Sequence, residues 1–125
     1  AGGIGITPFR SMAKYLTDTK ERRDIILIYS CVGAKDFVYM DIFKAAESIG
    51  WKTSYLVTDP KLAIEGMACE TGYLTPELLR KLVPDLSERS FYLSGPDAMV
   101  RAYDRLLGGL GVASRRIKKD YFPGF

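Results

Sequence analysis

Apolar residues recur along this chain with two different periods. Phe9, Met12, Ala13 and Leu16 fall at i, i+3, i+4 and i+7, the spacing of one helical face. The spacing predicts a helix over "TPFRSMAKYLTDT". Pro8 suits a first helical position, where its missing N–H costs nothing, and Thr7 is the expected cap. After the polar link "ERRD", the run "IILIYSC" is continuously apolar and β-branched, as expected of a strand buried on both faces of a parallel sheet. "YMDIFKAAESIG" returns to helical spacing at Ile42, Phe43, Ala46 and Ile49, with Gly50 as its stop. "KTSYLVT" reads as a second strand. Asp59 to Gly72 is a looser stretch containing Pro60 and Gly66. "TPELLRKLVPD" is a short helix opened by Thr75-Pro76 and closed by Pro84. "SFYLSG" is a third strand, and "PDAMVRAYDRLLGGLG" is a helix ended by Gly108, Gly109 and Gly111. "RIKKDYFPGF" is a short strand or extended tail.

Strand and helix alternate with short connections. This is the α/β pattern, and the expected fold is a three-layer, doubly wound parallel sheet with helices on both faces. No internal repeat or low-complexity segment interrupts it. The 125 residues suffice for one domain with a core. A glycine loop that enters a helix normally follows a strand, and here the loop stands at residue 1. The expectation is therefore a fragment, residues 1–125 of a longer chain, whose first strand lies upstream.

Composition narrows the chemistry mainly by exclusion. The chain has no histidine, and its two cysteines, Cys31 and Cys69, form no CxxC pair, so a zinc site is not expected. Two separate thiols suit a reducing, cytoplasmic setting. Eighteen Lys and Arg against 15 Asp and Glu give a net charge of +3, too mild to indicate nucleic acid. The basic residues do not interleave with aromatics as single-strand readers require. No apolar run approaches the roughly 20 residues that cross a bilayer.

Two short stretches carry candidate chemistry. "AGGIGITPFR" places Gly3-x-Gly5-x-x-Pro8 at a helix entrance. Glycines let a ligand approach the backbone, and a helix N-terminus offers unpaired N–H groups and positive dipole to a phosphate. Thr7 and Arg10 add a hydroxyl and a guanidinium. "FYLSGPDAM" repeats the design as strand, Ser94-Gly95-Pro96, then helix. Two such entrances following strands of one parallel sheet open on the same edge, where ligands of such sheets bind. An ordinary packing turn explains either stretch equally well when it is taken alone. No Gly-Lys-Ser/Thr follows the glycines, so this is not a nucleotide-triphosphate loop.

Together, "AGGIGITPFRSM", "LIYSC", "FYLSGPDAMV" and "DYFPGF" resemble the pyridine-nucleotide half of the ferredoxin–NADP reductase superfamily, in order and spacing, over essentially the whole chain. The resemblance implies an NAD(P)H-dependent flavoprotein reductase. Its NAD(P)-binding domain works with an FAD-binding barrel of the same parent chain and passes hydride to FAD. Electrons then leave singly to an acceptor such as a ferredoxin-like or iron–sulfur domain. This piece alone would be inactive.

By the same likeness, Gly3, Gly5, Thr7 and Pro8 line the pyrophosphate and nicotinamide side. Ser94, where many relatives carry cysteine, docks the nicotinamide with Gly95 and Pro96. The likeness extends the cofactor-binding set to Ile6, Arg10, Ser30 and Met99. NADP-using relatives often carry serine and then arginine where this chain has Thr58-Asp59. A carboxylate there repels a 2′-phosphate and accepts from ribose hydroxyls, which favours NADH, although Lys61 stands close by. Phe125 is the nearest match to the terminal aromatic that stacks on flavin, with Tyr121 and Phe122 behind it. Two other readings stay open: a non-catalytic nucleotide-binding domain, and an electron-relay module docking through Arg115, Arg116, Lys118 and Lys119.

Overall fold

The structure is a computed structural model that describes residues 1–122, the last two by their backbone alone. A 3-10 turn, Gly3–Ile6, runs into α1 (Thr7–Thr19). Then follow β1 (Ile25–Cys31), α2 (Met40–Ala45), β2 (Trp51–Val57), β3 (Glu70–Thr71), α3 (Pro76–Leu82), β4 (Phe91–Pro96), α4 (Asp97–Gly109) and β5 (Ile117–Phe122). Every strand pair is parallel. The α/β alternation predicted from the sequence is therefore present. The strands fall into two sheets, however, β1-β2-β3 and β4-β5, where the sequence pattern suggested one. The chain divides accordingly into two compact units, Ile6–Tyr73 and Ala1–Gly5 with Leu74–Phe125.

In the first of these units, α1 buries Phe9, Ala13 and Leu16, and Met12 lies outside the buried stripe. The helix ends at Lys20, which is left-handed at φ 55° and donates its N–H back to the last turn. β1 pairs with β2 from Ile25↔Trp51 to Cys31↔Val57. Between them α2 continues as a 3-10 turn, Ala46–Ile49, and stops at Gly50 with φ 100°. A Cβ on Gly50 would lie 2.6 Å from the carbonyl oxygen of Arg23, so both conformation and space require glycine.

The core of this unit is aromatic. Trp51 stacks on Phe43 at 5.9 Å, and Tyr29 meets Phe37 edge-on at 4.9 Å. Buried polar ends find partners, as buried donors and acceptors must. The Trp51 indole donates to Thr53 at 2.9 Å, and the Tyr29 hydroxyl accepts from the Val38 N–H at 3.2 Å. Burial pushes the Tyr29 phenol up to about 12, against the partial opposition of that N–H. Burial also raises Tyr55, with the Glu47 carboxylate adding to it. β3 is the element that sequence periodicity missed. Its two residues pair only with Leu56 and Val57 at the end of β2, too short a span to show alternation.

In the other unit, Thr75 caps α3 by accepting from the Leu78 N–H at 3.2 Å, as its sequence position suggested. β4 buries Leu93 and Ser94, and α4 packs across β4 and β5 with Val100 and Leu107 inward. Gly108 and Gly109 lie inside α4, and the left-handed residue beyond its end is Gly111 at φ 88°. Arg116 donates to the carbonyls of Leu86 and Arg89, and Lys119 pairs with Asp104 at 3.0 Å.

Candidate functional site

The two glycine turns predicted from the sequence touch each other. Both belong to the unit containing β4 and β5. The Gly2 N–H donates to the Ser94 carbonyl at 3.0 Å, and the Gly5 N–H closes the first turn on the Gly2 carbonyl at 2.9 Å. The glycines divide into two kinds. A Cβ on Gly5 would collide with the Ser94 carbonyl and lie 2.7 Å from the Gly95 nitrogen. A Cβ on Gly95 would lie 2.6 Å from Met99 Cε and 3.1 Å from the Gly2 carbonyl oxygen. Gly5 is required because backbone packs directly on backbone, whereas at Gly95 the closest contact is the end of the Met99 side chain and the Gly2 backbone comes next. Gly3 differs: it is exposed, it has φ 52°, and nothing lies within 4 Å of where its side chain would be. It is the member of the loop over which an outside group has room to approach.

Ser94 is fully buried, and its hydroxyl has no hydrogen-bond partner among the described residues. The sequence likeness put this side chain against a ligand. The structure closes it off from solvent while leaving its polar atom unsatisfied, a costly arrangement unless a partner arrives. Pro96 caps α4 from outside the helix, and Met99 is half-buried in the first turn of α4. Gly2 was not singled out by sequence, although the Gly-Gly pair was its signal.

In the other unit, the sequence-predicted residues lie on α1, on β1 and just beyond β2. Thr7 is the first residue of α1 and not its cap. The preceding Ile6 is already helical because the glycine turn feeds the helix, and no side chain caps it. The Arg10 guanidinium lies 5.6 Å from the centroid of the Tyr39 ring, a cation–π contact that sequence spacing did not suggest. Ser30 is buried near the carboxyl end of β1. Thr58 and Asp59 extend the β2 ladder, donating to the carbonyls of Cys31 at 2.9 Å and Val32 at 3.1 Å. Asp59 also accepts from the Lys61 N–H at 3.0 Å through Oδ1. That bond fixes its carboxylate at the strand end and gives it a turn-capping role.

Phe125 lies outside the described residues, and Tyr121 and Phe122 are placed by backbone only, opposite Gly95 and Pro96. Of the four basic residues in "SRRIKKD", Arg116 and Lys119 are bound internally, so the stretch is not the uniform cationic face its sequence suggests. Neither cysteine forms a disulfide. Among the described residues no His, Cys, Asp and Glu cluster is suited to a metal, and no helix is long and apolar enough to cross a membrane.

The oxidoreductase NAD-binding domain family matches residues 1–105. The chain is 30% identical over 123 residues to the glycine betaine monooxygenase reductase subunit of Pseudomonas aeruginosa, covering 98% of this chain and 34% of that protein. It is 28% identical over 126 residues to a flavohemoprotein of Rhodopirellula baltica, covering 98% and 31%. Among solved structures, an Amycolatopsis cytochrome P450 reductase superposes with a TM-score of 0.80 at 25% identity, covering 99% of this chain and 36% of that one. The chain thus spans about a third of the length of these relatives.

Proposed function

This chain belongs to the oxidoreductase NAD-binding domain family, and we propose that it positions NADH for hydride transfer to a flavin held mainly by another domain. The observation that carries the reading is the direct contact of the two glycine turns, Gly2 to Ser94 at 3.0 Å, with an open glycine at Gly3 beside it. The open backbone at Gly3 suits a diphosphate, because a glycine there lets an anion approach with no side chain in the way and the positive end of the helix dipole lies just beyond it. The buried, unpartnered Ser94 hydroxyl suits a carboxamide that can both donate and accept.

NADH supplies the hydride when bound. The chain contributes placement: Gly3 and Gly5 shape the approach, Gly95 and Pro96 hold the second turn, and the sequence likeness adds Thr7 and Arg10 to the set. By the sequence likeness, Asp59 of the unit Ile6–Tyr73 faces the ribose of the coenzyme, where a carboxylate accepts from hydroxyls and repels a 2′-phosphate, and this is the basis for NADH over NADPH. No acid, base or nucleophile is needed, since the step depends on bringing two rings to close range. The names of the relatives, a monooxygenase reductase and a flavohemoprotein, suggest that electrons continue to an oxygenase or a haem acceptor, and the sequence likeness alone adds an iron–sulfur domain. Two cysteines outside any disulfide fit a cytoplasmic setting.

The test separates charge from shape. Asn and Asp both tolerate the left-handed conformation of Gly3. In the intact protein, Gly3→Asp is expected to weaken NADH binding about tenfold more than Gly3→Asn, since only its charge opposes the diphosphate. Equal effects, or no NADH binding by the wild type, would overturn the reading. Nucleotide binding without flavin reduction would favour the non-catalytic alternative.

A further inference from the structure

One side chain fills the space that two of the glycines leave. Met99 is the nearest neighbour of a Cβ built on Gly2, through Sδ, and of a Cβ built on Gly95, through Cε at 2.6 Å. The Gly2 Cβ position also lies 3.2 Å from Met99 Cε. The thioether therefore straddles both turns from its place in the first turn of α4. The Gly2–Ser94 hydrogen bond and the packing of Gly5 on Ser94 hold the turns together through backbone. Met99 adds a side chain that touches both and so limits how they can shift against each other. Methionine suits this place because an unbranched chain with three rotatable bonds can follow an irregular gap between backbones.

We propose that Met99 is a positioning residue whose thioether sets the spacing of the Gly2–Gly3 and Gly95–Pro96 turns, and through them the placement of a coenzyme resting on both. This rests on the reading of those turns as the NADH site. Hydride transfer is sensitive to displacements of about 1 Å, whereas binding tolerates them better. Shortening the side chain should therefore lower the rate more than the affinity.

In the intact protein, Met99→Ala is expected to lower kcat for NADH-dependent flavin reduction about tenfold, with KM and the NADH Kd within about threefold. Met99→Leu should recover most of the loss. Amide hydrogen exchange offers a readout independent of turnover: Gly2 and Gly5, both hydrogen-bonded, should exchange about tenfold faster in Met99→Ala. A steric swap gives a second line. Gly2→Ala places a methyl where the sulfur lies, so Gly2→Ala/Met99→Ala should perform better than Gly2→Ala alone.

A folded Met99→Ala with wild-type kcat and wild-type exchange would overturn the proposal. So would a double variant no better than Gly2→Ala, including one that does not fold. Wild-type protein that gives no NADH response in a fluorescence titration would instead sink the coenzyme reading itself, which keeps the two failures apart.

Discussion

The two units differ in what their closest contacts are made of. In Ile6–Tyr73, large side chains do the packing: Trp51, Tyr29, Phe37 and Phe43 interlock, and the polar tips of Trp51 and Tyr29 have partners. In the unit of β4 and β5, an aliphatic core that includes Val100 and Leu107 sits beside contacts that depend on absent side chains. Gly5 lets backbone lie on backbone, and the buried Ser94 hydroxyl has no partner among the described residues. The difference separates a region built for cohesion from one that gives up packing and polar satisfaction, as ligand sites do when they keep backbone within reach.

Removing the largest aromatic gives the strongest test of that contrast. Trp51→Ala should cost about 3–5 kcal/mol by chemical denaturation, since it empties a fully buried site. Next comes alkali. Tyr29 has its phenol raised from 10.0 to about 12, so the folded state holds the proton more tightly than the unfolded chain. Its contribution is fully present below about pH 10 and is lost as pH rises toward 12, on the order of 2–3 kcal/mol. Denaturation midpoints followed across that window should fall, and Tyr29→Phe should flatten the decline in part, because Tyr55 shares it.

In the glycine unit, Gly5→Ala should cost about 2 kcal/mol through the forced collision with β4, and it should weaken NADH binding as the turns separate. The smallest effect has the opposite sign. Ser94→Ala removes an unsatisfied buried hydroxyl and should raise stability by about 1 kcal/mol while slowing flavin reduction. A Ser94→Ala variant that lost stability would erase the contrast between the units.

Much of the fold was legible in the sequence because periodicity is local. The spans of α1 and β1 coincide with the runs "TPFRSMAKYLTDT" and "IILIYSC", and Thr75 caps where its position suggests. β3 was not legible, since two residues carry no period and pair only by virtue of where β2 ends. The candidate site was half legible. The motif pattern picked out both turns, yet the reasons for their glycines lie elsewhere in the chain. Gly5 answers to Ser94, nearly ninety residues away, a relation no local spacing encodes. Thr7 failed as a cap because the glycines ahead of it are already helical, which a cap motif does not reveal. The "SRRIKKD" run misled for a related reason: charge can be counted from sequence, but its engagement with distant carbonyls cannot.

That last case has a broader bearing. Arg116 ties the carbonyls of Leu86 and Arg89 to the residue that precedes β5, using one guanidinium as a clasp. A guanidinium presents its N–H donors in a fixed planar fork, so one side chain can hold two carbonyls at once. The clasp therefore fastens the segment leading into β4 to the one leading into β5, 27 and 30 residues apart in the chain, before either strand begins.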